Sequence, residues 1–180
     1  MRQVLKAISL DIPVNNMVMK IKLLFALVLI LLGVVAQAKV VSVKFDRATF
    51  YAVIKTGDKE EIDNEISIVS ASSIAEKEAY EGFLLMRKAG LVTLPAQKLK
   101  LFKAGRIRFE TALANDNDNA EYHFLRLIIE EKAPKIVKYN QDLEADKQLI
   151  IKAYKNLPAV VQQAIIDYSK TSKVLHVQDF

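Results

Sequence analysis

The stretch FETALANDNDNAEYHFLRL, Phe109 to Leu127, sets Asp116, Asn117, Asp118 and Asn119 consecutively between two apolar-periodic runs. Either these four side chains gather an ion or they end one helix and begin the next. A calcium loop of the EF-hand type needs oxygen ligands at alternate positions, Gly at the sixth and a bidentate acid at the twelfth, because seven oxygens must converge around a tight turn. Counted from Asp116, the third ligand position is Ala120, the Gly position is Glu121 and the twelfth is Leu127, so the pattern fails at three places. A turn needs only an Asn or Asp whose side-chain oxygen caps the following helix. The stretch therefore reads as the joint between two helices.

Working outward, Pro95 opens the helix before the joint, which runs to about Ala114 with Leu99, Phe102, Gly105, Phe109, Ala112 and Leu113 on one stripe. The helix after it starts at Ala120 and is apolar over a wide arc: Tyr122, Phe124, Leu125, Leu127, Ile128 and Ile129. A helix so broadly apolar is expected to be covered on two sides, hence central. Pro134 disturbs its end; Asp142 can start a sixth helix with Leu149, Ile150, Ala153, Tyr154 and Leu157 inward. Beyond Pro158, Val160, Val161, Ala164, Ile165 and Tyr168 stripe a seventh. Upstream, Asp46 can cap RATFYAVIK, stopped by Thr56-Gly57, and DKEEIDNEISIV opens with acids at its N-terminal turn. Ser72 or Ser73 is expected to cap IAEKEAYEGFLLMRKA, ended by Gly90. The fold class is all-α: about seven short-to-medium helices in antiparallel hairpins, solenoid-like or as an irregular bundle. The expected domain spans residues 46–171, preceded by an extended arm at 39–45 and followed by a flexible tail at 172–180.

The spacing Gly105-x3-Phe109-x2-Ala112-x4-Asn117 resembles the second helix and exit turn of a tetratricopeptide repeat, and Gly82 in AYEGFLL resembles the small residue of that family's first helix. Asn117 stands where the family prefers Pro, and Gly82 and Gly105 lie further apart than the family's small positions. The resemblance covers one helix and its turn and implies divergent helical hairpins that bind another protein. As a whole the chain is also similar to small exported helical proteins of Bacteroidota-type bacteria.

Lys20 and Lys22 precede an unbroken apolar run from Leu23 to Val35, closed by Ala36-Gln37-Ala38. That is the layout of a secretory signal peptide, residues 1–38, with cleavage after Ala38, and Met17 or Met19 would serve as a start closer to the basic residues. The alternative, a retained membrane anchor, is short of the about 20 apolar residues a spanning helix needs. The expectation is a periplasmic or secreted protein without stable membrane insertion after cleavage. No Cys occurs, so disulfides, thiol nucleophiles and thiolate metal sites are excluded. Of 26 basic and 21 acidic residues, residues 1–38 hold four and one, which leaves 22 against 20 and a net charge of +2 in residues 39–180.

Placement says more than total charge. Between Arg87 and Glu110 lie seven basic residues and a single acid, whereas Asp58 to Glu65 carries five acids and one Lys. Lys100, Lys103 and Arg106 form a candidate patch for an anionic surface; the competing expectation is that these side chains snorkel around the helix and pair loosely with the acidic second helix. Aromatics do not interleave with the basic residues as stacking on bases requires, so no nucleic acid is expected. His123 and His176 are the only histidines, and Glu121, Glu130 and Glu131 do not stand at i+3 or i+4 from His123 to complete a ligand pair. No catalytic, cofactor-binding or metal-binding residues are expected. The leading expectation is a helical scaffold that binds a peptide or envelope protein through a groove. The alternative is a small exported hydrolase using paired carboxylates among acids such as Glu60, Glu61, Asp142 and Asp146.

Overall fold

A computed structural model describes residues 44–180, together with the isolated positions Lys20 and Lys22. Apart from those two positions, the expected leader and the arm up to residue 43 lie outside the described residues. Seven α-helices, three 3-10 turns and no strand are found among the described residues: α1 Arg47–Thr56, α2 Lys59–Ala71, α3 Lys77–Leu91, α4 Pro95–Asn115, α5 Ala120–Lys132, α6 Leu143–Ala153 and α7 Ala159–Ser169, with 3-10 turns at Lys135–Val137, Tyr154–Asn156 and Val177–Asp179. The chain is all-α. None of the described helices is long and apolar enough to cross a membrane.

Local signals set most boundaries. The Asp46 carboxylate accepts from Thr49 N at 2.8 Å to open α1, and Gly57, at φ 67°, closes it in a left-handed conformation that a side chain would strain. Asp58 caps α2 in the same way through Glu61 N. Two expected boundaries move. Ser72 does not cap α3; its hydroxyl donates to Val69 O at 2.7 Å and so closes α2, and α3 starts only at Lys77, after a turn, without a side-chain cap. Gly90 does not end α3 either, since the helix continues through Leu91.

Packing centres on α5. Ten of its thirteen residues are buried, including Phe124, Leu125, Leu127 and Ile128. Tyr51 of α1, Phe109 of α4, Tyr168 of α7 and Asp146 of α6 all reach it. Two antiparallel hairpins meet here, α3–α4 and α5–α6, with α5 itself an arm of the second. In the first, α3 and α4 cross where Gly82 meets Gly105: a Cβ on Gly82 would stand 2.7 Å from Phe109 N, and one on Gly105 would stand 2.6 Å from Gly82 O. Glu81 of α3 pairs with Arg108 of α4 beyond that crossing. In the second, His123 and Arg126 of α5 face Asp146 of α6, while Glu130 faces Asp142.

The ends are also anchored. Phe45, within the expected arm, stacks on Tyr80 with centroids 5.2 Å apart. The segment expected as a flexible tail from residue 172 instead buries Leu175 completely, closes a 3-10 turn through His176 and Asp179, and sets Phe180 against Tyr154 at 4.6 Å. Glu131 holds its start by accepting from the hydroxyls of Tyr168 and Ser172 and from Lys173 N.

Candidate functional site

The Asp116–Asn119 turn serves the fold. Asp116 N donates to Ala112 O and Leu113 O and so ends α4. The Asn119 side-chain oxygen accepts from Glu121 N at 3.1 Å and Tyr122 N at 3.2 Å to start α5, and its amide donates to Asp116 at 2.8 Å. Asn117 contributes its carbonyl, which lies 2.7 Å from His123 Nε2. No group of three or more His, Asp or Glu among the described residues is placed to hold a metal ion.

His123 is a clamp. Its Nδ1 lies 2.6 Å from Asp146 Oδ1 while its Nε2 faces the Asn117 carbonyl, so both ring nitrogens meet acceptors and the imidazolium satisfies both. Burial pulls the His123 pKa down, but the hydrogen bonds to Asp146 and Asn117 outweigh it and hold the value above the ordinary one. Asp146, with no exposed surface, also accepts a two-pronged contact from Arg126, Nε at 2.8 Å and Nη2 at 2.6 Å. Arg126 reaches further, to Asp142 at 3.4 Å and Glu110 at 3.8 Å, and Tyr139 donates to Glu110. Beside this network Glu130 is 3% exposed, takes one long bond from Asp142 N at 3.4 Å, and leaves Oε2 without a partner. Burial pushes its carboxyl up to about 7, with Asp146 and Asp142 adding to the rise.

A second buried acid, Glu121, ties α5 to the other side. Its Oε1 accepts from Tyr51 OH at 2.8 Å and Tyr80 OH at 2.7 Å, and Arg47 Nε lies 3.5 Å away. Glu121 and His123 thus serve separate clusters, and neither residue lines either of two concavities found among the described residues. A shallow depression of about 310 Å³ between α1 and α2 carries Glu61 and Glu65, the latter buried with Oε1 unpartnered and its pKa raised by burial and then by Asp46.

The large concavity lies elsewhere. A groove of about 820 Å³ runs between α3, α4, the end of α5 and the 3-10 turn after it. Its apolar surface comes from Met86, Leu99, Phe102, Ile129, Ile136 and Val137; its rim holds Arg87, Lys98, Lys103, Arg106 and Lys132, and no acid lines it. Leu99, expected inward, is 50% exposed, and Ile136 is 88% exposed; among the described residues no helix covers this face of the N-terminal half of α4. Phe102 is steadied from behind by Tyr139, edge to face at 5.6 Å, and Arg106 lies over the Tyr139 ring at 5.0 Å.

Of the patch expected from the sequence, Lys103 and Arg106 line this groove, whereas Lys100 is exposed and lies outside the lining. The reason is the helix period. Residues three apart drift by about 60° per step around a helix of 3.6 residues per turn, so Lys100 and Arg106 diverge to either side of Lys103. The face that lines the groove is Pro95, Lys98, Leu99, Phe102, Lys103 and Arg106, steps of three and one in alternation. That spacing was readable in the sequence; the contributions of Arg87, Lys132 and Ile136 come from other segments and carried no local signal. Pairing with the acidic second helix is made by Lys88, 2.6 Å from Asp63, and by none of the rim residues. Compared with family models, curated proteins and solved structures, the chain matches none.

Proposed function

We propose that this protein is an exported helical scaffold without catalysis, which holds a peptide segment of an envelope protein in the groove between α3, α4 and α5. The observation that carries this reading is the half-open apolar groove itself, with Leu99 and Ile136 exposed at its mouth. Grooves of this form take the apolar face of a partner segment, and the exposed side chains supply the area buried on binding. The acids nearest His123 are meanwhile engaged in the Arg126 clamp, where they carry structure. The competing reading, a small hydrolase with paired carboxylates, draws support only from Glu61 and Glu65 in the shallow α1–α2 depression.

The test is site-specific photo-crosslinking in the source organism. A crosslinking residue at Ile136 should trap one discrete protein adduct, and the same residue at the exposed Gln163 of α7 should not. Equal labelling at both positions, or none at Ile136, removes the reading. Turnover of a glycan or peptide lost on Glu65→Gln replaces it with the hydrolase.

A further inference from the structure

Resting on the groove reading, we propose that the occupant is an acidic amphipathic helix: its apolar stripe lies on Leu99, Phe102 and Ile136, and its flanking carboxylates meet Lys98, Lys103 and Arg106 of α4 and Lys132 of α5. The first argument is charge. Among the described residues, none of the five rim cations has a carboxylate oxygen within 4.0 Å. Two of their neighbours in sequence do: Lys88 pairs with Asp63 at 2.6 Å, and Arg108 with Glu78 at 2.9 Å and Glu81 at 3.2 Å. Lys100 and Lys135, outside the lining, have no such pair among the described residues either, so what sets the groove apart is that it gathers five unpaired cations with no acid in its lining.

The inner end sharpens this. Arg87 is partly buried, its Nε has no hydrogen-bond partner, and its Nη2 makes only a long bond to Ile54 O at 3.4 Å. Lys132 lines the same end, over the Tyr168 ring at 5.4 Å. Burial pulls both below their ordinary pKa, and Arg87 lowers Lys132 further. Arg87, half-buried, and Lys132, exposed, are like charges close enough to perturb one another, and an anion from outside relieves that repulsion.

The apolar floor then narrows the class of anion. A bare polyanion, nucleic acid or polysaccharide, would leave Leu99, Phe102 and Ile136 facing water or sugar. The run from Pro95 to Arg106 is about three helical turns, roughly 16 Å, which matches a partner helix reading out i, i+4 and i+7 anchors. An acyl chain gains most from an enclosed channel, whereas this groove is open along one side, with Ile136 88% exposed. Cations on both flanks of an apolar stripe complement a helix with acids on both flanks of its own.

The experiment titrates the full chain with two fluorescent helical peptides of about 16 residues, sharing Leu at i, i+4, i+7 and i+11 and differing only in Glu or Lys at the flanking positions. Sodium oleate is the third probe, and all are measured at low ionic strength. The Glu peptide should bind about tenfold or more tightly than the Lys peptide, with the order reversed in K103E/R106E and both peptides weakened in Ile136→Asp. These three positions are exposed or at the rim, and circular dichroism checks that the variants fold. Equal affinity for both peptides, still weakened by Ile136→Asp, overturns the acidic partner and leaves the groove reading standing. Oleate binding with neither peptide bound overturns it in favour of a small anionic amphiphile. Binding of no probe, or binding indifferent to Ile136→Asp, overturns both this inference and the reading beneath it.

Discussion

Replacing Glu130 by Gln should stabilise the protein, and by an amount that depends on pH. Glu130 is 3% exposed, its Oε2 has no hydrogen-bond partner, and its pKa stands at about 7 against an ordinary 4.5. Burial is the main cause; Asp146 and Asp142 add to it, while the Asp142 N–H and Arg126 oppose it. The folded state therefore retains a proton that the unfolded chain gives up, so this group costs nothing below pH 4.5, destabilises progressively up to pH 7, and costs a constant amount above. At about 1.4 kcal/mol per pH unit the ceiling is about 3 kcal/mol. Glutamine keeps an acceptor for Asp142 N–H and never ionises, so Glu130→Gln removes the slope. Urea denaturation of wild type and variant should give equal stabilities near pH 4 and a gain of about 2 to 3 kcal/mol for the variant at pH 8. Titration of other groups, His123 included, is common to both proteins and cancels in the difference. A difference of the same size at both pH values, or a variant less stable at pH 8, refutes the claim that a buried, under-bonded carboxyl is held neutral there.

Three glycine-to-alanine changes should differ in sign. Gly82→Ala and Gly105→Ala each drive a Cβ to within 2.8 Å of backbone on the facing helix and should cost about 2 kcal/mol or more, whereas Gly90→Ala, with nothing within 4 Å, should gain about 0.5 to 1 kcal/mol from helix propensity; thermal melts check all three. Asp146→Asn strips the partner from Arg126 and His123 and should cost about 3 kcal/mol. In wild type, the raised His123 pKa contributes stability present below pH 6.5 and lost as pH rises through its folded value, and NMR titration of Asp146→Asn should show the midpoint lowered. Intact mass of the protein from the envelope fraction should correspond to a chain starting at Lys39, and a mass that retains Leu23 to Val35 would contradict cleavage.

What was legible in the sequence was what lies within a few residues along the chain. Asp46 was readable as a cap, and one of the Asp or Asn residues of the joint as another, because a short side-chain oxygen needs only the next turn's N–H groups; the breadth of the α5 arc announced burial on both sides. Ser72 misleads because a hydroxyl donates to the helix behind as readily as it accepts from the helix ahead, and α2 takes it. Gly90 misleads because an exposed glycine one residue from a helix end looks the same whether it stops the helix or lies inside it. His123 shows the deeper limit. Its partner, Asp146, is 23 residues away on another helix, and no i+3 or i+4 test on α5 can reach it. The tail beyond residue 171 reads as too short to form a helix of its own, yet the buried Leu175 and two bonds to Glu131, from Ser172 and Lys173, hold it.

The two buried clusters bear on binding although neither touches the groove directly. Glu121 fixes α5 against α1 and α3, and the His123–Asp146–Arg126 clamp fixes it against α6 and the Asn117 turn, so its register is set from both sides. The end of α5 then delivers Ile129 and Lys132 to the groove, while Tyr139, bonded to Glu110, supports Phe102. A wall held this way has its conformational entropy removed in folding and not in binding, which leaves more of the contact energy as affinity. Loosening the clamp without touching the groove should therefore weaken the Glu peptide mainly through entropy. In Asp146→Asn, calorimetry should return a more unfavourable binding entropy with the Glu-over-Lys preference unchanged, and a changed preference would mean that the clamp's charge acts on the partner directly.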